Sequence, residues 1–209
     1  MTQTPAKAWE EMLRSNARFI DGTPQHPRQD VERRTELAHA QFPDAALFGC
    51  SDSRLAAEII FDKGLGDLFV VRNAGQVISD SVVGSLEYAV GVLHVPLIVV
   101  LGHDECGAVR AAIDSQGKDA APLPPHIASI IAKIAPAVRR VAVASGAVDA
   151  STAEPLEVGR EHLRDTIAEL LRSSELISDA VAAGTLAVVG ANYRLLEGRA
   201  VPDVIVGAV

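Results

Sequence analysis

With 209 residues, 48% of them hydrophobic, the chain has enough apolar material for a full core and reads as one domain, residues 1–209. A net charge of -8 with no basic run excludes the electrostatic footprint of a nucleic-acid or anionic-membrane binder. No apolar run reaches membrane-spanning length, the opening MTQTPAKAWEEML lacks a basic segment followed by an apolar one, and the two cysteines are too few for a disulfide scaffold, so a cytoplasmic location is expected.

Trp9, Met12, Leu13, Phe19 and Ile20 recur at helical spacing within Ala6 to Ile20, closed by Asp21-Gly22, and a second helix is expected from about Asp30, its N-cap, to Ala40. These two helices form an N-terminal arm, 1–42, that must cover something: the chain's own sheet or a partner subunit. The first strand is Ala45 to Gly49, followed by the charged loop Cys50-Ser51-Asp52-Ser53-Arg54. A short helix (Leu55 to Phe61), a strand (Asp67 to Val71), the turn Arg72 to Gln76 and a long apolar helix (Ser79 to Leu93) come next. Arg72 at a strand's carboxyl end faces either an anion or an interface. Tyr88 is core or cleft lining.

The third strand, Leu97 to Leu101, is an unbroken β-branched run ending in Gly102, the pattern of a buried parallel strand entering a tight loop. That loop carries His103 and Cys106. A helix (Ala108 to Asp114), the loose segment SQGKDAAPLPP, and covering helices at His126 to Val143 and Pro155 to Ala182 precede a fourth strand (Thr185 to Asn192). A short connection across Glu197-Gly198 makes the last strand, Arg199 to Val206, antiparallel to the fourth.

Ligands of doubly wound α/β domains collect at the carboxyl ends of parallel strands, so Cys50, His103 and Cys106 are expected to converge from two strand ends. A Cys2His set is what a catalytic zinc uses when it keeps a fourth position for water or substrate. Asp52 and Arg54 alternate on one side of an extended loop, where a guanidinium can hold a carboxylate by two bonds. Three rivals stand beside this reading: a Cys50–Cys106 disulfide, a cysteine nucleophile at Cys50 with His103 as its base, and a zinc module without catalysis.

Taken together, C50-S-D-S-R54, R72-N and G102-H-D-E-C106-G resemble the β-class carbonic anhydrases, over most of the chain. The resemblance implies a zinc enzyme, one ion per subunit, that interconverts carbon dioxide and bicarbonate. It implies a mixed, mainly parallel five-stranded sheet of order 2-1-3-4-5, its last strand antiparallel, flanked by helices and assembled as a homodimer or homotetramer with N-terminal helices on a partner. Cys50, His103 and Cys106 are then the zinc ligands and Asp52 with Arg54 the dyad beside the fourth position. Asp52 itself would become a ligand in a closed, low-pH form. Phe69, Ala74, Tyr88 and Gly102 would line the substrate cleft. Gln41, nine residues before Cys50, matches the plant-like type, in which this side chain reaches the neighbouring subunit's site. Leu47 stands where the bicarbonate-regulated type has a Trp, although Arg72 and Tyr193 match that pocket's other residues. COS and CS2 are the alternative substrates of the same fold.

Overall fold

The β-branched runs form one sheet of order β2-β1-β3-β4-β5: β1 Ala45–Cys50, β2 Leu68–Asn73, β3 Leu97–His103, β4 Ala187–Arg194 and β5 Arg199–Val206. This is seen in a computed structural model that describes residues 3–209. The first three pairings are parallel and β4–β5 is antiparallel, as the short connection requires. Every residue of β1 and β3 is buried, so both faces of the central strands are covered.

Strand periodicity divides the core between the two faces. On one face Leu47, Leu97, Val99 and Leu101 meet α1 (Pro5–Ile20), α5 (Gly107–Asp114) and α6 (Pro125–Ser145) through Trp9, Met12, Val109, Ile113, Ile134 and Val138. On the other, Ala46, Phe48, Ile98 and Val100 meet α4 (Asp80–Gly91), α7 (Pro155–Ser173) and α8 (Glu175–Ala182) through Val82, Leu86, Leu163, Ile167 and Ile177. Each such side chain contributes roughly 1.5–3 kcal/mol by leaving water.

Two expectations need correction. The helix expected from Pro155 to Ala182 is two helices, α7 and α8. Between them Ser174 leaves the helical region (φ -134°, ψ 106°), accepts the Ile177 N–H as cap of α8 and donates to Glu87 Oε1 at 2.7 Å. The second correction concerns the arm. Of the apolar stripe of α1, Trp9 and Met12 are 5% and 1% exposed within this chain's own core, whereas Leu13 is 38% exposed. The remaining arm helix, α2 (Val31–Glu36), is capped by Asp30 as expected but ends four residues early and buries none of its residues. A four-residue helix, α3 (Ala57–Ile60), follows the first loop.

Asn16 locks α1 in place. Its amide nitrogen donates to Ile60 O (3.1 Å) and Gly198 O (2.8 Å), and its oxygen accepts the Ala200 N–H (3.0 Å), tying α1 to α3 and to the β4–β5 hairpin. Removing a partner strands buried backbone groups at roughly 1–3 kcal/mol each. Asn16→Leu is therefore expected to lower unfolding stability by about 3 kcal/mol, read as a shift of the urea midpoint; an unchanged midpoint would refute this role for Asn16.

Candidate metal centre

β1 and β3 are neighbours in parallel register, with Gly49 opposite Leu101, so their carboxyl ends finish at one level and the loops leaving Cys50 and His103 start side by side. The Cys50 and Cys106 sulfurs and a ring nitrogen of His103 lie within 4.8 Å of one another, and each residue is 5% exposed. The two thiols are free, which removes the disulfide. His103 Nδ1 lies 2.7 Å from Asp104 O, an acceptor only, so Nδ1 carries the hydrogen and Nε2 presents a bare lone pair. That Nε2 is buried and has no hydrogen-bond partner among the described residues. Two sulfurs and an orphaned imidazole nitrogen facing one point fit a tetrahedral zinc site with its fourth position open. Gly102 permits the approach, because a Cβ there would sit 2.9 Å from Asn192 Oδ1.

The thiols reveal the same demand for positive charge. Cys50 is lowered to about 4, chiefly because the Cys106 S–H donates to it, against burial, with help from His103, the Gly75 N–H at 3.4 Å and the backbone of Asp52. Cys106 is pushed up by that shared hydrogen bond and by burial, opposed by the backbone N–H groups of Val109 and Ala108 at the start of α5. One proton thus bridges two sulfurs where a divalent cation would neutralise both.

Asp52 stands outside this donor cluster. Arg54 holds both of its oxygens, Nε to Oδ1 at 2.9 Å and Nη2 to Oδ2 at 2.7 Å, while the Arg54 backbone N–H adds a bond of 2.9 Å to Oδ1. The guanidinium keeps the Asp52 carboxyl well below the usual carboxylate range. Arg54 Nη2 also donates to Glu105 O (3.1 Å), a residue at φ +51° between His103 and Cys106, so one guanidinium joins the two ligand loops. Arg72 resolves differently from an anion-facing residue. Its Nε donates to Cys50 O at 2.9 Å and its Nη2 to Asp52 O at 2.6 Å, clamping the first loop's backbone. Tyr193 is buried opposite His103 on β4, and Leu47 is sealed in the core.

The other expected cleft residues are scattered. Gly102, in β3 next to His103, and the exposed Ala74, in the turn after β2, flank the donors. Phe69 pairs with Tyr88, ring centroids 6.1 Å apart, four residues before Asn73, the β2 residue level with Cys50; at ~3.3 Å per residue that is about 13 Å along the strand. Gln41 is exposed and lines a hollow with Arg34, Leu37, His39, Leu65 and Gly66, away from the donors.

Sequence reasoning passed over His162, whose ring lies behind the Cys50 loop and hydrogen-bonds Gly75 O. Its only signal was a polar residue on the apolar stripe of α7, between Val158 and Leu163.

The lowered Cys50 makes thiolate the form above about pH 4 in the reduced, metal-free chain. Ultraviolet thiolate absorbance should therefore persist far below the ordinary thiol value of ~8.5, vanish near pH 4, and be missing in Cys50→Ser; loss near the ordinary value would contradict the shared-proton pair.

Comparison with known proteins supports this geometry. The carbonic anhydrase family profile matches residues 45–200. Carbonic anhydrase 2 of Mycobacterium tuberculosis is 48% identical over 200 residues, covering 94% of this chain and 92% of that protein. The carbonic anhydrase of Mycolicibacterium smegmatis is 46% identical over 195 residues, covering 93% and 91%. Among solved structures, a β-carbonic anhydrase of Aspergillus fumigatus superposes with TM-score 0.72 at 24% identity, over 93% of this chain and 90% of that one. One of two tetrameric β-carbonic anhydrases of Sordaria macrospora gives 0.69 at 25%, over 93% and 95%. With the mixed sheet, the two cysteines and the lone-pair histidine all accounted for, the chain belongs to the carbonic anhydrase family, in its β class.

Proposed function

We propose that the chain catalyses reversible hydration of carbon dioxide to bicarbonate and a proton, with one zinc per subunit held by Cys50, His103 and Cys106 and with Asp52 and Arg54 orienting the reaction. The supporting observation is the juxtaposition of an open three-donor cluster with a carboxylate that is kept out of it by its own arginine. Zinc, when bound, lowers the pKa of a coordinated water from ~15.7 toward ~7 and so supplies an oxygen nucleophile near neutrality.

The chain's own residues supply direction. Asp52 stays ionised because of Arg54, and although the Arg54 Nε and backbone N–H occupy both lone pairs of Oδ1, Oδ2 accepts only from Nη2 and keeps one free. That carboxylate accepts the O–H of the attacking oxygen and turns a lone pair toward the substrate carbon, a contribution of orientation rather than of proton removal. Arg54 and Arg72 hold the loop so that the acceptor does not drift. The same carboxylate has a second use: with zinc bound and its competing hydroxide protonated at low pH, an Asp52 that let go of Arg54 would be a candidate fourth ligand and would close the site.

The chain acts as a homodimer or homotetramer, the tetrameric Sordaria macrospora proteins being the nearest support. Phe42 (77% exposed), Leu196 (99%) and Tyr88 (46%) are apolar surface for such contacts. In the assembly, Gln41 donates from its amide to bicarbonate in the neighbouring subunit, and Phe69 and Tyr88 reach a cleft across the same boundary. The chain functions as one domain in the cytoplasm; among the described residues no helix is long and apolar enough to cross a membrane.

Stopped-flow CO2 hydration should show kcat/KM rising with pH between about 6.5 and 9, as a metal-bound water titrates; a flat profile counts against the mechanism. Asp52→Asn should lower kcat/KM on the order of 100-fold with zinc content unchanged, whereas an active variant would remove the orienting role. Gln41→Ala is expected to reduce kcat/KM by roughly 10-fold, the worth of one hydrogen bond to an anion, without altering the sedimentation coefficient, and retained kcat/KM would leave Gln41 a surface residue.

A further inference from the structure

Behind Cys50 runs the turn Ala74–Gln76, where two successive residues leave the right-handed region, Gly75 at φ +74° and Gln76 at φ +40°. The Gly75 N–H points at Cys50 Sγ over 3.4 Å. Glycine's wide conformational freedom means that local sterics do not hold the peptide planes on either side of it. The holding comes from outside. A Cβ at Gly75 would lie 2.9 Å from Ala108 Cβ and 3.0 Å from Ile134 Cδ1, so α5 and α6 press on one side. From α7, His162 Nε2 meets the Gly75 carbonyl at 2.7 Å, and one turn on, the Thr166 hydroxyl lies 2.8 Å from His162 O and 3.4 Å from Gln76 O.

His162 is 3% exposed, and burial lowers its pKa, which favours the neutral ring. A carbonyl only accepts, so Nε2 carries the hydrogen and Nδ1, buried and unpartnered among the described residues, is the bare nitrogen. The ring is thus a donor held by α7, the helix whose Thr166 also reaches Gln76 O in the same turn. A buried polar group on an apolar helix face has to justify its desolvation, and its one strong bond goes to the glycine that faces the metal-site sulfur.

We propose that His162 is a positioning residue for the metal centre: by gripping the Gly75 carbonyl it anchors the peptide after Gly75, so that with α5 and α6 packed against Gly75 its N–H stays aimed at Cys50 Sγ and sets how strongly that sulfur donates to the cation. This rests on the reading of Cys50 as a metal ligand. An N–H aimed at a metal-bound sulfur draws electron density from it, and hydrogen bonds of this kind tune metal sites in general.

The test uses the full chain loaded with Co(II). His162→Phe keeps the ring and deletes the donor, whereas His162→Gln returns an N–H near the Nε2 position. His162→Phe should move the sulfur-to-cobalt charge-transfer band to lower energy, because Cys50 Sγ becomes the more electron-rich ligand, and His162→Gln should restore it. A His162→Phe protein with the wild-type band overturns the proposal. Should His162→Phe not fold, nitrogen-15 histidine spectra of the wild-type protein decide: the Nε2–H tautomer is expected, and the Nδ1–H tautomer overturns the proposal because it cannot donate to Gly75. A wild-type chain that takes up no cobalt sinks the metal reading and this one with it, whereas bound cobalt indifferent to His162 sinks this one alone.

Discussion

The parallel pairing of β1 with β3 is the constraint on which the site depends. Cys50 and His103 are separated in sequence by α3, β2 and α4, yet the register that sets Gly49 beside Leu101 brings their loops out together. A slip of one residue would turn Leu47 and Val99 to the wrong face and carry the sulfur out of reach of the imidazole. The buried, two-sided apolar packing of both strands holds the register, so core stability and metal geometry are set by the same side chains.

Above the strands, arginine takes over from the sheet. Each loop keeps one backbone bond to a neighbouring strand, Ser51 N–H to Asn73 O and Asp104 N–H to Tyr193 O, and beyond these Arg54 and Arg72 satisfy its carbonyls: Glu105 O from one, Cys50 O and Asp52 O from the other. Such bonds at an exposed rim are individually modest. Their importance is geometric, because planar guanidinium donors fix direction as well as distance. His103 is treated likewise, its Nδ1–H spent on Asp104 O and Asp104 in turn accepting the Leu195 N–H at 3.0 Å, which ties the second loop to the end of β4.

The charges fall into two compartments. Two buried thiols and a bare imidazole nitrogen form a hole in the electrostatics that a dication fills, while the neighbouring carboxylate has its compensation already in Arg54. Keeping these apart explains why an acidic residue so close to the donors does not join them.

Much of this was legible in the chain. Unbroken β-branched runs ending in glycine announced the buried strands, the His-x-x-Cys and Cys-x-Asp-x-Arg spacings announced the three clustered side chains and the Asp52–Arg54 ion pair, and the short Glu197-Gly198 turn announced the antiparallel edge, because each rests on local geometry that periodicity and turn chemistry encode. Other features depended on partners far away in sequence. Ser174 breaks a helix that composition would continue because Glu87 is there to receive its hydroxyl. Trp9 and Met12 pack inward on a helix that Asn16 ties to three backbone groups. Arg72 clamps a loop rather than an anion, and His162 supports a thiol 112 residues upstream through Gly75. The residue types, their order and their spacing determined which chemistry this protein can carry. Which side chains hold that chemistry in place was decided only by the tertiary structure, since a buried hydrogen bond is specified by both of its ends and a local stretch of sequence contains only one.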